Sequence, residues 1–558
     1  MQPAGEAVAR VQPGQSPAVV SKAEMPALRQ VREAAKALFE QGQVEETWEY
    51  LLSALESVLL KNRELELLLA KLRRAAVGKT SERVDPRQLS LLFDQLLSEG
   101  TPSFDAEAES AEDEALDKEI ESAEKEHGKR RKKPRTTAEL KTRAIEKQTH
   151  KVPVPEAEQK CDRGHQMNQI GVEVTRRLEY VPAHFIEHHY HLDKYACGIC
   201  KEGVTTAPAP PPVMPRSSAG ASLLAHVVVS KFADHTPLHR LNRIYARSGA
   251  DIPVSTLSDW VMRAGILVRP LIVCLERRVL SAYIVRTDAT GLKVLDTSSP
   301  ENIERGSIWA YVGDDRDVLF RYTPTGAGAT GPWAFLAGRT GYIQADAHNV
   351  FDRLFNGLVA SAKELGCWSH GRRRLVALKD TDCRVAYPVK LIARLYRIEH
   401  LADARELTTK DRAELRQQRS VPVLEKLQRW FVATKLSEPP GTELAKAASY
   451  AINHWEALTR FVDDGRISPD NNLCEQQLRD IALGRKNYLF AGSHDAASNA
   501  AGIYSLTRTC AQYGVPPMPY FTDVFAKLGA GWEQARLEEL LPHRWQPTDA
   551  VPSTARAP

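Results

Sequence analysis

The chain has 558 residues, a net charge of +4, 43% hydrophobic residues and 26% charged residues. That length exceeds a single hydrophobic core, so three or more domains are expected, and the composition is that of a globular protein. No apolar run approaches the roughly 18 residues of a membrane span. Met1–Val20 lacks the apolar segment of a secretory signal. Eight cysteines scattered over this length suit a reducing compartment better than a disulfide framework, so the expected location is the cytoplasm.

In chain order, residues 1–43 read as a flexible or helical N-terminus. A heptad follows at 44–75. Val44, Leu51, Val58, Leu65 and Leu72 recur every seven residues, and Trp48, Leu55, Asn62 and Leu69 hold the other seam position. This pattern predicts a coiled coil and self-association, with one seam Asn able to fix register. An amphipathic helix packed within its own chain is the alternative. Residues 100–150 read as a charged, disordered linker. Within it, 105–126 carries eleven Asp/Glu against two Lys, a local charge of −9 that leaves +13 on the rest of the chain. Like charges repel and stay solvated. A basic body of this kind is compatible with polyanion binding, although charge by itself is weak support.

Residues 155–206 read as a zinc-binding module. Cys197 and Cys200 are spaced so that both thiolates reach one tetrahedral ion, and Cys161 and His165 could complete a set of three cysteines and one histidine. His184, His188, His189 and His191 are alternative ligands, or plain strand residues. After the Pro-rich joint at 207–212, residues 216–270 predict three helices broken by Gly249. This layout is compatible with helix-turn-helix DNA recognition and equally with a small helical bundle.

From about 280 the periodicity changes. The apolar run Ala282–Asp288 predicts a strand ending in an acid, Gly306–Val312 and Val318–Tyr322 predict a hairpin, and Gly331–Ala337 a short helix. Gly341–Asp346 is a further strand ending in an acid. The sequence then reads as helical to about Phe461, and Asp470 is placed to cap a helix carrying Glu475. Three strands, a helix and a strand, followed by a helix with a third acid, is the ribonuclease H layout. In it Asp288, Asp346 and Glu475 would converge as ligands for Mg2+ or Mn2+. Two such ions, roughly 3.5–4 Å apart, serve phosphodiester cleavage by activating the nucleophile and neutralising the leaving oxygen. The fold expected is therefore multidomain α/β: an N-terminal coiled coil, a zinc-binding module, a helical (helix-turn-helix-like) domain, and a ribonuclease H-like catalytic core at 280–510. That core would hold an α-helical insertion at about 365–462, between the second and third acids, and 511–558 would form a C-terminal segment.

Several motifs carry a family likeness: Thr287–Thr290, Gln344–Asp346 with Phe351–Leu354, Cys367–Arg373, and above all Asp470–Asn472 through Glu475 and Arg479 into Ala482–Ser493, with Leu540–Trp545 near the end. Over residues 44–546 the chain resembles the DDE transposases of the bacterial insertion-sequence family numbered sixty-six. The resemblance implies binding of terminal inverted repeats, metal-dependent strand cleavage and strand transfer, small accessory proteins from the same element, and association with the nucleoid when DNA is bound. It implies metal ligation by Asp288, Asp346 and Glu475, and DNA contact by Arg479, Arg485 and Lys486. Ion pairing of Arg479 with Glu475 is an equal alternative. Cys367, Trp368 and His370 would pack or position the site. Three positions depart from the family pattern: Ala289 stands for a Glu, Gln476 for an Arg, and Gly164 for a zinc-module Cys. A DNA-binding regulator that no longer cuts, or a ribonuclease H-fold nuclease without strand transfer, are the rival functions.

Overall fold

The structure is a computed structural model that describes residues 106–126, 184–196, 204–346, 348–357 and 359–547. The heptad at 44–75, the four zinc-module candidates Cys161, His165, Cys197 and Cys200, and the linker at 127–150 lie outside the described residues.

Helix α1 (Ala106–Glu126) occupies the acidic run expected to be disordered. The correction has a physical cause in distant residues. Leu116, Ile120 and Ala123 recur on one face and are buried. Glu112 and Asp113 meet Arg394, Asp117 meets Arg397, and Glu119 meets Arg405 and Arg419. Self-repulsion is thus offset by basic residues nearly three hundred positions away. A short hairpin, β1 (Lys194–Ala196) with β2 (Val204–Thr206), is antiparallel.

Helices α2 (Ala221–Phe232), α3 (Leu238–Arg247), α4 (Val254–Leu267) and α5 (Arg269–Ser281) follow. Each buries a helical stripe, such as Leu257, Trp260, Val261 and Ala264 in α4. Gly249, at φ +88°, ends the run after α3 in a conformation that a side chain disfavours.

The sheet is built from β3 (Ile284–Leu295), β4 (Ile303–Gly313), β5 (Asp317–Thr323), β6 (Tyr342–Gln344) and β7 (Lys363–Leu365), in the order β5-β4-β3-β6-β7. The first three strands form an antiparallel meander. β6 then lies parallel to β3, and β7 parallel to β6. A one-turn helix, α6 (Pro332–Phe335), precedes β6.

Between β7 and the third acid stand α7 (Trp368–Val376), α8 (Ala386–Ala404), α9 (Thr409–Ser437), α10 (Glu443–Asn453) and α11 (Trp455–Thr459). They close their own hydrophobic core around Trp368, Leu395, Leu427, Phe431 and Phe461, and α1 packs on it. The chain returns through α12 (Asn472–Tyr488), α13 (His494–Tyr513) and α14 (Pro517–Gly529). These helices share one core with the sheet and with α2–α5. Helix α13 also covers the open edge of β5. Thr509 Oγ1 accepts from Val318 N–H at 3.1 Å and donates to its carbonyl at 3.0 Å, and Ser505 Oγ accepts from Phe320 N–H at 2.8 Å. An edge strand that would otherwise invite foreign pairing is thereby closed. Among the described residues no helix is long and apolar enough to cross a membrane.

Candidate active site

Register places the first two acids. Arg286 of β3 is paired with Gln344 of β6, and Asp288 and Asp346 each stand two residues further on. With a side-chain period of two, both acids fall on the same face, just past the last paired residues of β3 and β6. Asp288 does not end its strand as its sequence suggested. β3 continues to Leu295 because β4 pairs along its whole length, while pairing with β6 stops at Arg286. Asp288 thus sits mid-strand, just past the point where one neighbour has ended.

The third acid is delivered by α12. Asp470 Oδ1 accepts from Asn472 N–H at 3.1 Å, satisfying a free donor of the first turn. Asn471, fully buried, donates from Nδ2 to the carbonyl of Thr287 at 2.9 Å, so the start of α12 is tied to the residue before Asp288. Glu475 then lies one turn into the helix.

A buried polar cluster holds the three acid-bearing segments together. Arg286, almost completely enclosed, donates to Asp315 Oδ1 at 2.7 Å, to Gln344 Oε1, and to the carbonyl of Asp470 at 3.1 Å. Gln344 in turn donates to the carbonyls of Gly366 and Ser468 at 3.0 and 2.9 Å. A guanidinium inside a protein is tolerated only when its donors are met. Here its partners are the strand of Asp346 and the cap of α12.

All three acids are half-buried. Burial pushes the Asp288 carboxyl up to about 6. The Ala289 N–H, donating to Oδ1 at 2.7 Å, opposes the rise; the neighbouring Asp346 and Glu475 add to it, and Arg373 offsets part. Among the described residues no Lys or Arg forms an ion pair with Asp288 or Asp346. Glu475 Oε2 meets Arg373 Nη2 at 3.3 Å, and Oε1 lies 3.6 Å from His370 Nδ1. Glu475 Oε1 is buried without a hydrogen-bond partner.

Arg479, expected as a partner of Glu475 or a DNA contact, is exposed, and the pairing falls to Arg373 instead. Residues four apart share a helix face, but α7 brings Arg373 to the carboxylate from the side. Arg485 donates to the carbonyl of Gly291, and Lys486 is exposed. His184, His188, His189 and His191 are exposed.

Cys367, His370 and Glu475 form a group whose ligand atoms lie within 4.8 Å of one another. Burial pushes the Cys367 thiol up to about 11, so it remains a thiol at neutral pH, where thiolate is the form that binds metal. Among the described residues, Asp288, Asp346 and Glu475 do not form a group that tight. The donor set is hard oxygen and half-buried, and Asp288 and Asp346 meet no Lys or Arg in an ion pair among the described residues, which fits Mg2+ or Mn2+.

Sequence comparison adds three matches to families. Residues 216–499 match the Transposase IS66 family, residues 158–201 the zinc-finger binding domain of transposase IS66, and residues 64–143 the family described as Transposase C of IS166 homeodomain. Similar chains include three from Sinorhizobium fredii. "Uncharacterized protein y4hP" is 30% identical over 70% of this chain and 74% of its own length. "Uncharacterized protein y4qI" is 31% identical over 68% and 72%, and "Uncharacterized protein y4jD" 31% identical over 68% and 76%.

Proposed function

The chain belongs to the transposase IS66 family, and from that premise we propose that it is a DDE transposase that nicks and joins DNA at Asp288, Asp346 and Glu475. The observation that carries this reading is the state of Asp288. Its carboxyl is desolvated, crowded by two further acids, and forms no ion pair with a basic side chain among the described residues. Such a group is poorly placed to stand alone and well placed to share a cation. The sheet order supports a ribonuclease H-like core, with α7–α11 as an insertion between the second and third acids.

When bound, Mg2+ or Mn2+ would supply activation of the attacking water or 3′-hydroxyl and neutralisation of the leaving oxygen. The chain's own residues do the rest. Asp288 and Asp346 are held in register by Arg286 and Gln344, and Asn471 ties the start of α12, which carries Glu475, to Thr287. Arg373 orients the Glu475 carboxylate, and His370 stands beside it. The exposed Arg479 and Lys486, with Arg485, are placed to contact phosphates. Ala289, where the family pattern has Glu, leaves the three carboxylates intact.

In the same reading the protein binds the terminal inverted repeats of its own element, two chains associate through the heptad at 44–75, and accessory proteins of the element assist. The zinc-finger match supports structural zinc on Cys161, His165, Cys197 and Cys200.

The test is incubation of the full chain with Mg2+ and labelled DNA from the flanks of its gene, beside Asp346→Asn. Nicks leaving 3′-hydroxyl ends and strand-transfer joints, absent from the variant, are expected. DNA binding without a cut in both proteins would favour a regulator, and cuts without joints a nuclease.

A further inference from the structure

The far end of the β3–β4 hairpin holds a second cluster of ligand-type side chains. Leu295 closes β3 opposite Ile303, and Asp296 follows. Glu304 stands on β4 opposite Val294, and His494 opens α13. The chain leaving α12 is clipped to the same place, because Ala491 N–H donates to the carbonyl of Lys293 and Leu295 N–H to that of Ala491, both at 2.9 Å. Three separate segments thus bring an imidazole and two carboxylates together. His494 Nε2 lies 3.6 Å from Asp296 Oδ2 and 3.5 Å from Glu304 Oε2, and the three ligand atoms lie within 4.8 Å of one another.

These distances separate two arrangements. A charge-assisted hydrogen bond closes to about 2.7–2.9 Å, and both contacts are longer. Around a tetrahedral ion with bonds of roughly 2.0–2.2 Å, neighbouring ligand atoms are about 3.3–3.6 Å apart, which is the spacing found. The atoms not facing the cluster are engaged elsewhere. Asp296 Oδ1 accepts from Ser298 N–H and Oγ–H at 2.9 and 2.7 Å, leaving Oδ2 towards His494. On the imidazole, Nδ1 lies 2.7 Å from Tyr322 Oη. An outer hydrogen bond of this kind fixes the ring and tautomer of a metal-bound histidine. The tyrosine itself depends on a glycine: a Cβ at Gly306 would fall 2.4 Å from the Tyr322 hydroxyl.

We propose that Asp296, Glu304 and His494 form a binding site for a divalent ion of the Zn2+ class, separate from the cation site at Asp288, Asp346 and Glu475. One nitrogen and two oxygens, with room for water, suit Zn2+, whereas Mg2+ and Ca2+ favour oxygen donors throughout. The ion fastens the β3–β4 hairpin to the start of α13, and so to the chain leaving the helix that carries Glu475. Its role is structural, since the cluster lies eight residues along β3 from Asp288.

The test counts zinc and does not depend on DNA cleavage. The full chain is stripped of metal, then dialysed against Zn2+ with Mg2+ in excess, beside His494→Ala, Glu304→Gln and Asp346→Asn. Any zinc held by cysteine thiolates is common to all four proteins. His494→Ala and Glu304→Gln should each bind one zinc fewer per chain and lose the zinc-dependent rise in Tm, while Asp346→Asn keeps the wild-type count. Glu304→Gln preserves shape at a partly exposed strand position, and its far-UV circular dichroism checks that it folds. An equal zinc count in all four proteins would overturn the proposal, whatever the DNA assays show.

Discussion

In the helical region Glu399 lies 2.7 Å from Arg416 and 3.0 Å from Arg412, and Asp113 lies 2.6 Å from Arg394. In the sheet, Asp288 and Asp346 pair with no basic side chain among the described residues. The two regions also differ in how their carboxyls titrate. Burial disfavours the charge of Asp113, yet the hydrogen bond and charge of Arg394, with Arg397 and Lys390, hold it below the usual range. Asp288 goes the other way, up to about 6, because burial and its acidic neighbours outweigh the opposing influences. One core meets its acids with arginine, whereas the sheet leaves Asp288 and Asp346 without a Lys or Arg ion pair among the described residues, and it is there that we propose positive charge is supplied from outside.

The largest expected effect lies at those two acids. Asp346→Asn should lower DNA nicking about a thousandfold, the scale of several kcal/mol of transition-state stabilisation, with little change in DNA affinity by gel shift. In the helical core, Arg416→Ala should lower the unfolding free energy by about 1–3 kcal/mol, because buried Glu399 keeps only Arg412 and the carbonyls of Phe461 and Asp464 lose a donor; urea denaturation reads it. Asp288→Asn should do the opposite. An acid whose carboxyl is raised in the folded state costs stability as pH climbs from the ordinary value of 3.8 to above about 6. In chelator at pH 7 the variant should therefore be more stable than wild type, by at most about 3 kcal/mol. That advantage should fade as pH falls through this window, and Mg2+ should reduce it. An equal stability of the two proteins at every pH would break the comparison.

Two smaller effects sharpen it. Arg373→Ala removes the contact to Glu475 Oε2 and should slow cleavage about tenfold, one or two kcal/mol for a single charged hydrogen bond. The Arg373 side chain is mostly exposed, so Tm should barely move. Arg405→Ala, at the exposed pair with Glu119, should cost under about 1 kcal/mol, and less in high salt.

Much of this was legible in the sequence because it is local. The apolar stripes of 221–267 and the β4–β5 hairpin follow from periods of 3.6 and 2 over short windows. Asp288, Asp346 and Glu475 could be singled out because strand, hairpin, helix and strand occur in one order. What escaped depends on distant chain. The length of β3 past Asp288 is set by β4, and β7 is only three residues long. Arg373 meets Glu475 across 102 positions, and Arg286 meets Asp470 across 184. The acidic run read as a disordered linker, since the arginines that neutralise α1 lie about 280 residues on. A charge pattern read locally reports repulsion and omits the partner that relieves it.

We propose that Asp288, Asp346 and Glu475 share divalent cations, and localised oxidative cleavage of the protein backbone reads such cations at those residues. Fe2+ is substituted in the full chain, radical chemistry is started with ascorbate and peroxide, and the cut sites are mapped by mass spectrometry. The account predicts cuts beside Asp288, Asp346 and Glu475 that excess Mg2+ suppresses and that Asp346→Asn abolishes. Cuts absent from all three segments, or unchanged in the variant, would contradict it.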